Sequence, residues 1–275
     1  SDYYVGQRIG EIWGYEADGY YSIGDFDQDA ARKGTWVLNK GVTRINGYNP
    51  QPGDMKFKDL DGDGVITAGE GTVEKAGDRK VIGNNASRYQ FGMNIGANYK
   101  GFSLDVLLQG VGKRDYWLGG SALFPFAGVD AGDAVFQPLY YNQTDYWTAK
   151  SYDPSSPDYM VAANPGCELF RIYDQGNNIR SNTRISDRYL QNAAYLRVKN
   201  VTLSYLLPKE WIHKLFIRSA KVFLSMENLA TFTSLPKGYD PEGTAAGSHA
   251  NALSNGISWT YPYYRTISVG ASITF

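Results

Sequence analysis

Residues 59–70, DLDGDGVITAGE, place carboxylates at Asp59, Asp61 and Asp63, a glycine at Gly64, the Val65 carbonyl, and Glu70 at the twelfth position. This spacing is the calcium-loop pattern: a hard cation needs a shell of oxygens, and a glycine at the sixth position lets the chain bend around it. Glu74 and Asp78 lie downstream as alternatives to Glu70 for the last ligand, and Thr67 could contribute through water. No amphipathic helix precedes the loop and Pro52-Gly53 lies close by, so it reads as a calcium-type loop inside a longer segment and not as an EF-hand. The expected cofactor is Ca2+ in a structural role, since a cation bound only to the folded form adds stability by mass action. A solvated acidic turn is the alternative.

Other chemistry is sparse. His213 and His249 are the only histidines, and no P-loop, GxSxG or HExxH motif is present, so the chain reads as a non-enzyme. A carboxylate pair for glycoside hydrolysis is defined by separation in space, and with 28 acidic residues that remains a third reading. Aromatic residues gather in the long polar segments. Trp36, Tyr116, Trp117, Tyr146 and Trp147 are the candidates for stacking on a sugar or peptide, within a set that includes Tyr140, Tyr141 and Trp259. The same rings serve equally as loop cores or a partner interface, and for any single residue packing is the commoner role.

These residues need a framework, and the composition indicates strands. The 275 residues include 22 Tyr, 31 Gly and six Trp, a mix that suits strands, tight turns and aromatic surfaces. With 27 basic and 28 acidic residues the net charge is −1, and no basic cluster offers a footprint for nucleic acid. Cys167 is the lone cysteine, so no internal disulfide can form. No apolar run approaches the roughly 20 residues of a membrane helix. The start, SDYYVGQRIG, lacks the basic and apolar regions of a signal peptide, so an exported protein is expected to carry an N-terminal part missing here.

Period-2 alternation marks residues 89–99, 102–109, 195–205, 220–226 and 265–275, with a weaker sixth stretch at 6–21. The YKGF link between the first two reads as a hairpin turn, with Gly101 taking positive φ. Short connections alternate with long ones, at 22–88, 118–192 and 232–262, and that is the habit of an outer-membrane barrel with short periplasmic turns and long outer loops. The expected fold is all-β: about six strands of an antiparallel transmembrane β-barrel. Tyr89 and Tyr99 share a face ten steps apart. At about 3.3 Å per residue and a tilt near 40° they stand roughly 25 Å apart in height, the apolar band between two aromatic girdles.

Tyr99, Phe102, Tyr205 and Phe275 are then expected in the periplasmic girdle and Tyr89, Tyr195 and Tyr263 in the outer one. Arg197, Lys199 and Arg265 fall in the lipid-facing register near its outer end, where charge is costly; lipid phosphates, strands rising above the bilayer, or a bulge would accommodate them. A soluble sandwich, with the same apolar faces packed on a second sheet, is the alternative architecture.

Several blocks, in order, resemble one family: PGDMKFKDLDGDGVI, GDRKVIGN, YQFGMNIGANYKGFSLDVLLQG, YLRVKNVTLSYLLPK, MENLATFT, GYDPE and YYRTISVGASITF. They are similar to the C-terminal part of SusC/RagA-type TonB-dependent outer-membrane transporters. The resemblance implies a share of a roughly 22-stranded barrel that imports oligosaccharides or, less often, peptides. It implies as partners a SusD-like surface lipoprotein, the TonB complex through the missing N-terminal part, outer-membrane lipid, and the barrel-assembly machinery reading the terminal strand and Phe275. The segment TAGEGTVEKAG is longer than in the family pattern, which makes Asp78 the family-based alternative to Glu70. The competing reading is a cell-surface glycan-binding or adhesion module stiffened by calcium.

Overall fold

The computed structural model describes residues 5–117, 119, 123–124, 143–173, 177–212, 216–237, 239–243 and 263–275. His213, His249, Tyr140, Tyr141 and Trp259 lie outside the described residues. The chain divides into two compact units: in described residues, the first takes 5–85 and 116–190, the second 86–115, 191–243 and 263–275. In chain order the strands are β1 (Glu11–Tyr15), β2 (Ala17–Tyr20), β3 (Arg44–Ile45), β4 (Met55–Phe57), β5 (Val65–Ile66), β6 (Arg79–Asn84), β7 (Arg88–Tyr99), β8 (Phe102–Lys113), β9 (Asp115–Trp117), β10 (Leu190–Asn192), β11 (Tyr195–Leu206), β12 (Ser219–Thr233) and β13 (Thr266–Thr274). The helices are short: α1 (Gln28–Arg32), α2 (Asn177–Asn182) and α3 (Lys209–Ile212).

The second unit is an antiparallel five-stranded sheet in the order β13-β12-β11-β8-β7. Its strands are the five alternating stretches. The β7–β8 hairpin turns on Lys100 and Gly101, at φ 45° and 87°, with Tyr99 opposite Phe102. Two successive positive φ values give the turn whose twist matches the strands it joins.

Residues paired across neighbouring strands share a face, and two rows show how the sequence was written. One runs Ile95, Val106, Val201, Met226, Ile267; the next runs Gly96, Asp105, Thr202, Ser225, Ser268. One face is therefore apolar across all five strands and the other mainly polar, with Leu107 and Phe223 as the large apolar residues on it. Ile267 at the edge is 62% exposed and Ile95 48%, so the apolar face lies open as a lipid-facing surface does.

The register breaks once. Between Val198 and Asn200, β11 gains a residue relative to β8, and opposite the same point β12 carries Asn228 and Leu229 as its own insertion, with Asn228 at φ 50°. A bulge at Lys199 shifts the alternation by one, so Tyr195 and Arg197 lie on the polar face with Asn200, Thr202 and Ser204. This corrects the outer girdle. Tyr195 is buried on the polar side, and Tyr263 covers the Arg197 and Lys199 cations, with its ring centroid 5.2 Å and 4.7 Å from them. Desolvated cations draw an aromatic face more strongly than lipid does. Tyr89, Tyr99, Phe102 and Tyr205 lie on the apolar side by register, and Phe102 and Tyr205 pack at 4.4 Å. Phe275 follows β13, exposed.

The first unit is built from what reads as outer loops. The weaker stretch 6–21 supplies β1 and β2, which pair not with the five-stranded sheet but with β6 and β4; β3 and β5 pair in parallel. The described residues of this unit bury an aromatic set including Tyr15, Tyr21, Phe26, Phe57, Trp117 and Tyr189. Met55 N–H donates to Asn182 Oδ1 at 2.6 Å and Tyr20 OH to the Glu168 carbonyl at 2.7 Å, stitching the two segments together. Range 232–262 lies largely outside the described residues.

Candidate functional site

Acidic side chains shape the 59–70 loop before any ligand is considered. Asp59 accepts Gly62 N–H at 2.6 Å and Gly64 N–H at 2.7 Å, Asp61 accepts Asp63 N–H at 3.2 Å, and Asp63 accepts Val65 N–H at 2.7 Å. Gly64 sits at φ 82°, a turn that a side chain would strain. Asp78, fully buried, bridges the two ends of the loop by accepting Leu60 N–H at 2.8 Å and Thr67 N–H at 2.7 Å. Val65 exits into β5, which β3 holds.

One carboxylate oxygen each from Asp59, Asp61 and Asp78 lies within 4.8 Å of the others. Of the five carboxylates named as ligands the structure thus gathers three and leaves two elsewhere: Asp63 is turned to Val65 N–H, and Glu70 is exposed in an ion pair with Lys75 at 2.9 Å. The Gly64 N–H bond holds Asp59 below the usual carboxylate range. Asp61 rises above it: the Asp63 N–H favours its charge, but burial and the charges of Asp78, Asp63 and Asp59 outweigh that bond. Three convergent hard oxygens fit a hard divalent cation such as calcium by the chemistry of the donor set.

The aromatic candidates separate by burial. Trp117 is 0% exposed and Trp147 3%, so neither presents a ring to solute; this corrects both as stacking surfaces. Trp147 packs with Tyr159, Met160 and Cys167, and its indole fills the space a side chain at Gly53 would take. Trp36, half-buried, stacks on Tyr159 at 6.3 Å and meets Phe26 edge-on at 5.6 Å. Tyr116 and Tyr146 are half-buried. Nearby in the fold, Asp54 is buried, accepting Gln51 N–H at 2.7 Å and Asn182 Nδ2 at 2.8 Å. Burial pushes it up to about 6, against the bonds from Asn182, Gln51 and Tyr173 and the charge of Arg171.

The second unit holds a cluster that sequence reasoning did not assemble. Arg197, 2% exposed, is held from several sides: Nη2 lies 2.8 Å from both Asp240 oxygens, Nε donates to Thr231 Oγ1 at 2.9 Å, and Nη1 lies 2.9 Å from Glu242 Oε1 as an ion pair without a hydrogen bond. Lys199 Nζ meets Glu242 at 2.9 Å. Asp240 also accepts N–H bonds from Glu242 at 2.9 Å and Tyr263 at 3.1 Å. Burial would raise its carboxyl, but these amides and Arg197 hold it below the usual range. The signal lay in two facts together: cations in an apolar register, and acids in GYDPE.

Against known proteins, no protein-family model matches the chain. It is 26% identical over 274 residues to TonB-dependent receptor P3 of Formosa agariphila, covering 98% of this chain and 22% of that protein. TonB-dependent receptor P39 of the same organism is 26% identical over 291 residues, 98% of this chain and 25% of that one. The chain therefore spans a quarter or less of these relatives' length. Among solved structures, the RagAB peptide importer in its open-open state matches at TM-score 0.54 and 19% identity over 96% of this chain and 22% of that one. The RagAB peptide transporter matches at 0.51 and 18%, over 97% and 23%. The two-faced sheet is accordingly a piece of transmembrane β-barrel wall. Likeness along nearly its whole sequence, joined to this shared fold and to the motifs resembling the SusC/RagA type, makes the chain a homologue of the TonB-dependent receptors.

Proposed function

We propose that this chain is wall and outer face of an outer-membrane active importer of oligosaccharides or peptides. The observation that carries the reading is the division of the sheet into a continuous apolar face and a mainly polar one, in a chain matched over 98% of its length by a TonB-dependent receptor. In this reading Tyr89, Tyr99, Phe102, Tyr205 and Phe275 meet outer-membrane lipid, and the polar face lines the lumen. A SusD-like lipoprotein would close over the outer side, TonB would act on parts of the protein outside this chain, and the terminal strand would be read by the barrel-assembly machinery. Trp36, Tyr116 and Tyr146 are the aromatic residues left with exposed ring area for a solute.

The Asp59, Asp61 and Asp78 oxygens would hold Ca2+, whose charge would offset their repulsion and fix the loop that Asp78 already brackets. Its role is structural.

Deleting the gene for the full-length protein and measuring uptake of labelled oligosaccharide and peptide pools tests the reading. Loss of uptake of one pool, restored by the intact gene, supports it; unchanged uptake of every pool together with absence of the protein from outer-membrane fractions would sink it.

A further inference from the structure

At the end of the sheet far from the Tyr99–Phe102 turn, some cations are answered and two are not. Arg197 and Lys199 meet Asp240 and Glu242, and Arg114 Nη1 donates to the Pro241 carbonyl at 3.1 Å. Arg88 on β7 and Lys113 on β8 stand directly opposite each other, both exposed. Among the described residues neither side chain has an ion pair or a hydrogen bond. By register both fall on the polar face, the side of Gln90. Like charges directly opposite on neighbouring strands are unfavourable, so this pairing weakens the sheet end that carries it.

Two further observations converge on the same place. Tyr89, between Arg88 and Gln90, holds φ 55°, a left-handed backbone that a bulky residue adopts only under constraint. Strain of this kind gathers at ligand sites. A recess of 630 Å³ begins at the residues flanking Arg88, and its lining includes Ser87, Gln90, Gln109, Tyr195 and Glu242. The Glu242 carboxylate is already taken by Arg197 and Lys199, so Gln90 and Gln109 are left to offer neutral hydrogen bonds. The unanswered positive charge sits at the edge of this recess, where a walled cleft focuses its field on a passing solute.

We propose that Arg88 and Lys113 bind a carboxylate of the imported solute, whose uncharged body lies in the recess beside them. Carboxylate is the anionic group that an oligosaccharide, as a uronic acid, and a peptide, as Asp, Glu or its C-terminus, both carry. Arg88 supplies a planar fork for two oxygens and Lys113 a compact charge. A bound anion also removes the repulsion between the two cations, so the cost of the empty pair is recovered on binding. The inference rests on the import reading and narrows it to acidic solutes.

The test is equilibrium binding to the full-length protein in detergent micelles, with fluorescent probes in matched pairs. One pair is an oligouronate and the same oligosaccharide with its carboxyls reduced to alcohols; the other is a peptide rich in Asp and Glu and its Asn and Gln counterpart. One acidic probe should bind at least about tenfold more tightly than its neutral partner, and which pair shows the preference tells sugar from peptide. Arg88→Gln combined with Lys113→Gln should abolish the preference. Equal binding within both pairs, no binding of either acidic probe, or a preference that survives in the double variant would overturn the site. The double variant should melt no lower than the unaltered protein, since it removes a repulsion; a lower melting temperature would assign the pair to the fold and overturn the site as well. Probes bound without preference leave the import reading standing, and deletion of the gene tests that reading separately.

Discussion

Arg197 Nη2 lies 2.8 Å from both carboxylate oxygens of Asp240, and the two side chains are 2% and 6% exposed. Neither charge has water to fall back on. Asp240→Ala would leave the guanidinium buried with one acid partner lost, at a cost of about 3–5 kcal/mol. Chemical unfolding of the full-length protein followed by tryptophan fluorescence reads this, and a loss near zero would mean that water replaces the carboxylate.

Calcium should raise the melting temperature of the first unit, and Asp78→Asn should abolish the rise. At a hundredfold excess over Kd the gain is about 2.7 kcal/mol. Glu70→Gln should leave the response intact, because Glu70 is paired with Lys75 at 2.9 Å. If Glu70→Gln removes the response instead, the twelfth-position ligand was the correct reading.

Asp54 makes the first unit sensitive to pH. Its folded value near 6 lies above the carboxylate's ordinary 3.8, so the fold retains a proton that the unfolded chain has released. Stability from this group is therefore full below 3.8, falls as pH rises, and is lost above about 6. Exchange of the Met55 amide, which donates to Asn182 beside Asp54, should show local opening growing across that window after correction for intrinsic rates. Asp54→Asn should flatten the trend.

The two faces of β7 can be told apart by charge. Ile95→Arg, on the apolar row, should cost about 2–4 kcal/mol at the bilayer midplane, whereas Asn94→Arg on the polar side should cost far less. Heat-modifiable gel mobility of the full-length protein refolded into lipid reads both; equal effects would undo the face assignment.

Gly101→Val should weaken the β7–β8 hairpin. At φ 87° a branched residue is strained, and its Cβ would stand 3.0 Å from the Leu206 carbonyl oxygen. The left-handed backbone alone costs about 1–2 kcal/mol. Slower refolding with an intact final fold is the expected record.

Much of the sheet was legible because its signal is local. Alternation within 89–99 and 102–109, and the Lys100-Gly101 turn, are each decided by neighbours in sequence. Tyr195 was misassigned because a bulge obeys no periodicity: continuing the odd positions of 195–205 is the simplest reading, and only pairing with β8 reveals the extra residue. Trp117 and Trp147 were misassigned for a different reason. A core built from short, distant segments has no repeat to read, so buried rings look like exposed ones. Asp78 entered as an alternative ligand, but its grip on Leu60 and Thr67 needed coordinates.

Lys199 also constrains how this chain can vary. As the residue that β11 carries in excess over β8, it acts as a parity switch for everything on its outer side. Were β11 to keep Lys199 but pair without the bulge, Arg197 would turn to the apolar side; deletion of Lys199 would instead leave Arg197 two places before Asn200, still on the polar face. A reading that carries the odd–even count of 200–206 straight through Lys199 would mistake inside for outside at Tyr195 and Arg197.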